Sequence, residues 1–317
     1  MMTIFIKKLL IFLSPILILA YPLDLFLSSQ FKKAFVAEGE IGVWDDIYSG
    51  NILDSCFILG SSRAWVQFNP EAFLSNAHIG TYNFGIDGHN FFLQKARYDE
   101  TVKYNHPPKY IILSVESTSL QKRSDLYNKE QFLPFMLWNK DIERMVDSYI
   151  GFSTVDFYIP LIRYTGCSID MIKVFLNIIN PSNKKRIKGY LPRDEEWNKD
   201  FDKAKLMGKQ TIKIDSSSVR MLDAFISECS SNKIKFAMVY SPEYIEGQAL
   251  ISNRDSIINI YKELSIDHKI PFYDFSNDSI SFSKDFFYNS QHLNKKGSIL
   301  FSDRLVEMLV QDKFFEE

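Results

Sequence analysis

Short, continuous apolar runs alternate along this chain with segments of helical periodicity, and this alternation limits the fold more than any other feature. Runs of this length suit strands that are covered on both faces. Five such runs are CFILG at 56–60, TYNFG at 81–85, YIILSVE at 110–116, KFAMVYS at 235–241 and PFYDF at 271–275. Strand–helix alternation predicts an α/β fold with a parallel sheet and helices on both faces.

Helical periodicity fills several of the gaps between these runs. The predicted helices cover 91–104, 217–232, 256–268 and 295–311. In the last of them, Ile299, Leu300, Leu305 and Leu309 share one face, and Asn294 is placed to cap the N-terminus. Crossovers between the parallel strands are expected to be right-handed.

Residues 118–212 form an insertion between the third and fourth strands. A plain crossover needs only about a dozen residues, so this stretch contains structure of its own. Most of it has a helical pattern, whereas 180–203 is polar and is typical of a loop. The insertion is interpreted either as a helical cap with a mobile segment or as a part that completes the core.

The N-terminal residues 9–27 form an apolar stretch close to the roughly 20 residues that cross a bilayer. Lys7 and Lys8 precede it, and basic residues also follow it, which weakens the orientation signal. A membrane anchor or signal segment is predicted at 1–30, followed by one α/β domain at 31–317. A buried core helix is the remaining interpretation. Either of the first two places the domain outside the cytoplasm, in the periplasm or at the cell surface.

Charge and motifs exclude several function classes. Lys and Arg total 37 against 39 Asp and Glu, which argues against a nucleic-acid-binding protein. The three cysteines, Cys56, Cys167 and Cys229, build no disulfide framework and no Cys-x-x-Cys metal motif. Phosphate-binding loops, dinucleotide fingerprints, zincin motifs and the G-x-S-x-G elbow are absent from the sequence. The sequence therefore predicts neither a cofactor nor a metal.

The first candidate for chemistry is GSSR at 60–63, directly after the first predicted strand. Ligands of open α/β sheets bind beyond the carboxyl ends of the strands. Gly60 allows a sharp turn, and a serine at the start of the next helix can attack a carbonyl while its own N–H stabilises the oxyanion. The alternative is an ordinary turn in which serine caps the helix.

The second candidate is NFGIDGHN at 83–90, where another strand runs into a turn. Gly85 and Gly88 permit close approach of the backbone. An ordinary turn with conformational glycines is the alternative. His89 is interpreted as structural or as a residue supporting the site.

The third candidate is His292, which a loop presents just before the C-terminal helix. Histidine is the usual general base because its pKa lies near neutrality. Its position after the last strand, on the same rim as Ser62, distinguishes it from His78, His106 and His268.

Together the three segments resemble the SGNH (GDSL-like) hydrolase superfamily over about 53–302, without the insertion. GSSR looks like the variant of the nucleophile block in envelope-associated relatives of the DltD and alginate-acetylation type. The resemblance implies a flavodoxin-like three-layer α/β/α fold. It also implies that Ser62 is the nucleophile, that the N–H groups of Ser62 and Gly88 form an oxyanion hole, and that His292 is the base.

Two positions depart from the pattern of that family. Asn289 stands three residues before His292, where the family has Asp, and Asp285 is a possible substitute. Loss of the corresponding Asp in a serine protease costs about 10⁴ in turnover. The Asn that donates to the oxyanion in the family's third block is also missing, and Glu116, Ser117 and Thr118 occupy this region.

These residues predict a membrane-anchored serine esterase or O-acyltransferase that forms an acyl-enzyme on an extracytoplasmic glycan or lipid-linked ester. Ser62, His292 and Asn289 are the predicted catalytic residues, and Arg63, Asn83 and Ser117 are possible substrate contacts. A solvated arginine is the alternative for Arg63. A catalytically inactive SGNH-like module that binds or assembles surface polysaccharide is one alternative function, and a lipid-directed esterase or thioesterase is another. The oligomeric state stays open.

Overall fold

The structure is a computed structural model that describes residues 2–35, 40–181 and 186–316. The described residues form two compact units. The insert unit combines those of 1–45 and 124–185, and the sheet unit combines those of 46–123 and 186–317.

The sheet unit is built on five parallel strands in the order β2-β1-β3-β4-β5. The strands are β1 (Cys56–Leu59), β2 (Thr81–Asn83), β3 (Tyr110–Val115), β4 (Lys235–Tyr240) and β5 (Phe272–Asp274). This is the strand order of flavodoxin-like folds. The predicted α/β class and the predicted five parallel strands are therefore confirmed.

Each strand lies within its predicted run. Every residue of β1, β2 and β3 is buried, as expected for a sheet covered on both faces. In register, Leu59 lies beside Leu113, and Val115 lies beside Tyr240. The carboxyl ends of β1, β3 and β4 consequently share one edge of the sheet.

Thirteen α-helices lie in the described residues. They are α1 (Met2–Phe35), α2 (Ile41–Ser49), α3 (Ser62–Gln67), α4 (Pro70–Ala77), α5 (Phe91–Tyr104), α6 (Lys140–Val146), α7 (Thr154–Tyr158), α8 (Ser168–Ile179), α9 (Asp200–Met207), α10 (Ser216–Ser231), α11 (Ile245–Gln248), α12 (Arg254–His268) and α13 (Lys295–Gln311). Helices α5 and α13 have their predicted bounds, and α10 and α12 begin one or two residues early. Asn294 caps α13 as predicted, because its side chain accepts from the N–H of Gly297 at 3.0 Å.

Aromatic packing holds α3 and α13 on the sheet. Phe301 of α13 packs edge-on against Phe68 and Phe275, with ring centroids 5.0 and 5.1 Å apart. All three rings are buried. This cluster fixes α3, the helix that follows the first strand.

Residues 9–27, predicted to cross a membrane, lie within α1. Within the described part of the chain, no helix is long and apolar enough to span a membrane, so the predicted transmembrane helix is not found. Asp24, near the end of this stretch, is buried and forms a salt bridge with Arg163 in the same unit.

The regular elements described in the insertion at 118–212 are helices, namely α6, α7, α8 and α9 and the 3-10 helices Lys129–Phe135 and Ile162–Tyr164. The loop predicted at 180–203 is partly outside the described residues, since 182–185 are not described. Residues 186–199 form no helix. They belong to the sheet unit and are held there by main-chain hydrogen bonds.

Candidate active site

Gly60 turns the chain sharply between β1 and α3. Its φ is +152°, and a Cβ atom there would lie 2.8 Å from the Cβ of Ser114. Glycine avoids this contact and adopts such a φ freely. The turn brings the two following serines to the carboxyl edge of the sheet.

The two serines have different roles. Ser61 is the N-cap of α3, and its Oγ accepts from the N–H of Arg63 at 3.3 Å. Ser62 is the first residue of the helix, and its Oγ lies 2.8 Å from Nε2 of His292. Ser61 is therefore the helix cap that the sequence offered as an alternative role for a serine in this turn. Ser62 presents its hydroxyl to His292.

Asn289 determines which nitrogen of His292 carries a proton. Its Oδ1 lies 3.0 Å from Nδ1 of the ring and also accepts from the main-chain N–H groups of Gln291 and His292. Two N–H donors require an acceptor, so the amide oxygen, not the nitrogen, faces the ring. Nδ1 therefore donates to Asn289, which leaves the lone pair of Nε2 to accept the proton of Ser62.

Asp285, the possible substitute for the missing carboxylate, is exposed. Its main-chain carbonyl accepts a hydrogen bond from the side chain of Asn294. Asn289, and not Asp285, contacts Nδ1 of His292. The structure thus brings together Ser62, His292 and Asn289 of the predicted residues.

The surroundings of His292 oppose its protonation. Burial, and then the positive charges of Arg63 and Arg193, lower the pKa of His292 to about 3. The ring of Tyr288 stacks on the imidazole with centroids 5.3 Å apart and planes 9° apart. The imidazole is therefore neutral near pH 7 and is a weaker base than a free histidine.

Ser62 and Gly88 line the same cavity, whose volume is about 230 Å³. Gly88 has a φ of +71°, and its carbonyl accepts from Nη1 of Arg123 at 2.5 Å. Among the described residues, neither the N–H of Ser62 nor that of Gly88 donates to a main-chain carbonyl. The arrangement suits an oxyanion hole made from these two groups.

The residues that follow β3 occupy the place where the SGNH pattern has an Asn that donates to the oxyanion. Glu116, Ser117 and Thr118 all line the cavity. Ser117 is buried, and its hydroxyl lies 3.1 Å from that of Tyr240. The carboxylate of Glu116 accepts from the hydroxyl of Thr118 at 2.9 Å. Ser117 therefore lies where the sequence predicted a substrate contact.

Asn83 lies outside the cavity lining, contrary to the substrate contact predicted for it. Its side chain is fully buried and donates to the carbonyls of Ala64 and Phe68, both at 2.8 Å. Its Oδ1 accepts from the N–H of Gly85. Asn83 thus ties the end of β2 to α3 and supports Ser62 indirectly.

Arg63 lines the cavity but is not solvated, because only 3% of it is exposed. Its Nη2 donates to the carbonyl of Ser241 at 2.5 Å, and Nη1 lies 3.8 Å from Oε2 of Glu243. The guanidinium also stacks over Tyr240 at 4.9 Å. Arg63 therefore anchors α3 to the end of β4, and it does not extend into solvent to steer a substrate.

Glu243 was missed by sequence reasoning. It lines the cavity and is 2% exposed, and it accepts from the hydroxyl of Tyr240 at 2.9 Å. The available signal was its place three residues after the end of β4, on the edge that carries Ser62. An acidic residue at that position is a candidate for ligand contact.

Residues 186–199, termed the brace, connect the elements that carry the site. Leu191 donates to the carbonyl of Trp65 in α3 at 3.0 Å, and Asn198 donates to that of Tyr288 at 2.8 Å. Lys295, at the start of α13, donates to the carbonyl of Arg193 at 2.7 Å. The brace therefore joins the element that carries the serine to the element that carries the histidine.

Trp65 is in contact with two arginines of the brace. The guanidinium carbons of Arg186 and Arg193 lie 4.6 and 5.0 Å from its ring centroid. Cation–π contacts of this kind are favourable within about 6 Å. Only Arg193 of the two contributes to the lowered pKa of His292.

No metal centre is indicated by the described residues, which group no three His, Cys, Asp or Glu side chains suitably. No protein-family model and no curated protein matches the sequence.

Several solved structures are similar to this chain. A putative acylhydrolase from Bacteroides fragilis is 13% identical, with 82% of this chain and 87% of that chain covered and a TM-score of 0.39. A GDSL-like lipase from Bacteroides thetaiotaomicron is 11% identical, with 81% and 88% covered and a TM-score of 0.40. An acetylxylan esterase from Geobacillus stearothermophilus is 12% identical, with 81% and 94% covered and a TM-score of 0.41. Similarity this low carries no argument about activity, so function is argued from the site itself.

Proposed function

We propose that this chain is a serine ester hydrolase of the SGNH type. The observation that carries the proposal is the hydrogen-bonded series from Ser62 to His292 to Asn289, with contacts of 2.8 and 3.0 Å. A nucleophile, a base and a group that orients the base, within hydrogen-bond reach, define nucleophilic acyl transfer. Their place at the carboxyl edge of a parallel sheet agrees with this chemistry.

In the proposed reaction, Nε2 of His292 takes the proton of Ser62 while Oγ bonds to the ester carbonyl carbon. The N–H groups of Ser62 and Gly88 hold the oxyanion that forms. Collapse breaks the ester C–O bond, and the alcohol leaves with the proton from His292. Water, deprotonated by His292, then attacks the acyl-enzyme and releases the acid and free Ser62. A sugar hydroxyl in place of water would give acyl transfer.

Asn289 orients the imidazole without adding a negative charge. A carboxylate would stabilise the imidazolium that forms when Ser62 loses its proton. With a pKa of about 3, His292 is also a weaker base than one matched to neutral pH. We therefore expect slow turnover at pH 7, with the correct tautomer held by Asn289.

The charged cavity beside Ser62 favours a polar ester, such as an acylated glycan, over a lipid. Glu116, Glu243, Arg63 and Arg123 line it, and Ile251 is the aliphatic side chain among its lining residues. Burying an acyl chain there would desolvate charges without replacing their hydrogen bonds. This supports a glycan substrate of the kind suggested by the resemblance to the DltD and alginate-acetylation branch. It disfavours the lipid-directed alternative.

A place at the extracytoplasmic face of a membrane is also part of the proposal. It is supported by the apolar stretch at 9–27 and by exposed apolar side chains on α1, among them Ile11 at 72% and Ile18 at 70%. Co-flotation of the full chain with phospholipid vesicles tests it, and Ile11→Ser with Ile18→Ser should reduce the bound fraction. Recovery of the chain only in the vesicle-free fractions would contradict this part.

The test of the enzymatic proposal is labelling with a fluorophosphonate and hydrolysis of 4-nitrophenyl acetate. Ser62→Ala should abolish labelling and lower kcat/KM by about 10³ or more. Ser75→Ala, which changes an exposed serine of α4, is the matched control and should behave as wild type. A folded wild type that neither labels nor hydrolyses the ester would favour the non-catalytic, glycan-binding alternative.

A further inference from the structure

The wall of the cavity formed by Arg63 and Glu243 is built from ionisable side chains that are almost fully buried. Exposure is 3% for Arg63 and 2% for Glu243. Both side chains line the cavity together with Ser62. Residues of this type are almost never fully buried unless their hydrogen-bonding capacity is used.

The protein uses only part of the hydrogen-bonding capacity of Arg63 and Glu243. Among the described residues, the carboxylate of Glu243 is contacted through Oε2, by the hydroxyl of Tyr240 at 2.9 Å and by Arg63 at 3.8 Å. Nε of Arg63 is buried and has no hydrogen-bond partner within the described residues. The other carboxylate oxygen of Glu243 makes no contact with the described residues and is not enclosed by them, and it lies beside a buried guanidinium N–H without a partner. A hydrogen-bonding group that enters the cavity can therefore reach this oxygen.

The size of the cavity limits what can enter. Its volume is about 230 Å³. A cavity of about 150 Å³ can hold a benzene molecule, so this one is large enough for a glycerol unit or a sugar ring. A hydroxyl group of such a unit can donate to the open oxygen of Glu243, whereas an ether or alkyl group cannot.

We propose that Glu243 is a specificity-determining residue that accepts a hydrogen bond from a hydroxyl of the substrate's alcohol portion. The ester would thus be that of a polyol or sugar, with a free hydroxyl near the acylated position. This inference rests on the proposed hydrolase function and refines its substrate class. A site built to bind a hydroxyl strongly rejects an analogue that lacks it, because the buried partner is then left unpaired.

The substitution Glu243→Gln gives a sharp test. Tyr240 donates to Oε2, and Nη1 of Arg63 lies 3.8 Å from the same oxygen, so the side-chain amide of the variant should turn its one acceptor oxygen to them. The amide nitrogen then replaces the open oxygen and faces the cavity as a donor. Glu243→Gln therefore converts an acceptor of hydroxyl groups into a donor that suits ethers.

The experiment compares kcat/KM for glycerol 1-monoacetate and for its 2,3-di-O-methyl ether. Wild type should prefer the monoacetate by about tenfold to a hundredfold, as expected for a charge-assisted hydrogen bond. Glu243→Gln should remove or reverse this preference, mainly through KM of the monoacetate. Glu246→Gln, which changes a carboxylate that pairs with Lys205 at the surface, should keep the wild-type preference.

Equal wild-type rates on the two esters, or an equal loss on both in Glu243→Gln, would overturn the proposal.

Failure of the hydrolase function is recognised separately, because Ser62→Ala would then hydrolyse both esters as wild type does, or no variant would hydrolyse either. In that case, saturation-transfer NMR on the Ser62→Ala chain with glycerol and with glycerol 1,2-dimethyl ether still tests the subsite. Binding of glycerol alone supports it, and equal binding or no binding overturns it. If Glu243→Gln does not fold, the wild-type preference and this NMR comparison decide the question.

Discussion

Two buried arginine–carboxylate pairs, one in each unit, have the same composition but different geometry. In the insert unit, Arg163 forks onto both carboxylate oxygens of Asp24 at 2.6 and 2.7 Å, and its Nε donates to the carbonyl of Leu133. In the sheet unit, Arg63 and Glu243 approach only to 3.8 Å, and Nε of Arg63 has no partner among the described residues.

The difference separates a structural pair from one with capacity for a ligand. The Asp24 carboxylate also accepts from Ser28 and from the N–H of Leu161, so this pair is saturated by the protein. A saturated buried pair holds elements in place and offers nothing to a ligand. The Arg63–Glu243 pair lies beside Ser62 and is incomplete until the cavity is occupied.

Breaking the saturated pair should have the largest effect on stability. Arg163→Met leaves the Asp24 charge buried and unpaired, and this should lower the free energy of unfolding of the insert unit by about 3–5 kcal/mol. Urea denaturation followed by tryptophan fluorescence reports on it, since Trp44 and Trp138 lie in this unit. Arg144→Met is the control because its salt bridge with Asp141 is exposed. An Arg163→Met midpoint equal to that of Arg144→Met would contradict the assignment.

Breaking the Arg63–Glu243 pair should lower the free energy of unfolding less than Arg163→Met does. It should lower catalytic activity more. Arg63→Met leaves Glu243 bonded to Tyr240 and open to the cavity, so we expect a loss of about 1–3 kcal/mol. Because Arg63 also fixes α3 to the end of β4, kcat/KM for 4-nitrophenyl acetate should fall by about tenfold or more. Urea denaturation and steady-state kinetics on the same preparation measure both effects. Greater destabilisation than in Arg163→Met would reverse the comparison of the two pairs.

Replacing Asn289, which orients His292, with a carboxylate should raise the catalytic activity. Asn289→Asp places a carboxylate against Nδ1 of His292, which raises the pKa of the imidazole toward neutrality and stabilises the imidazolium. We expect kcat at pH 7 to rise by about tenfold. The acid limb of the kcat/KM profile should also move to higher pH, because protonated His292 cannot accept the Ser62 proton. A fall in kcat in a folded variant would show that the neutral amide is required.

Removing one positive charge near His292 should have the smallest effect, and it distinguishes the two arginines that flank Trp65. Arg193→Gln should raise the pKa of His292, so the acid limb should move upward by less than about one pH unit. Arg186→Gln, which removes the other cation–π partner, is the matched control and should leave the limb in place. The pH dependence of kcat/KM over the acid limb measures both.

Three side chains around His292 must be considered in that pH profile. Arg63 of α3 and Arg193 of the brace face His292 with positive charge, and Tyr288 of its own loop stacks on the ring. Equal shifts in the Arg186 and Arg193 variants would indicate that the brace acts through packing on Trp65 and not through charge.

Much of the sheet unit could be predicted because its signals are local. The five strands are largely buried, so their runs are continuously apolar, and α13 carries both its periodicity and its Asn294 cap in the sequence. Ser62 and His292 became candidates because residues after parallel strands meet at one edge, whereas their roles and Asn289 came from the resemblance to the SGNH pattern. Arg63 and Asn83 were harder to assign, since a polar side chain beside a strand end can face a cavity or the protein interior.

The sequence by itself determined the α/β class, the strand positions and the candidates at the strand ends, because burial and turn geometry leave local patterns. Only the tertiary structure decided which polar groups face the cavity. Glu243 is far from Ser62 along the chain, and the brace comes from a polar stretch of the insertion that has a loop-like pattern. Likewise, Asp24 in an apolar helix gave no sign that Arg163 would pair with it. Electrostatic pairs depend on distance in space, and the spacing of residues along a chain does not encode that distance.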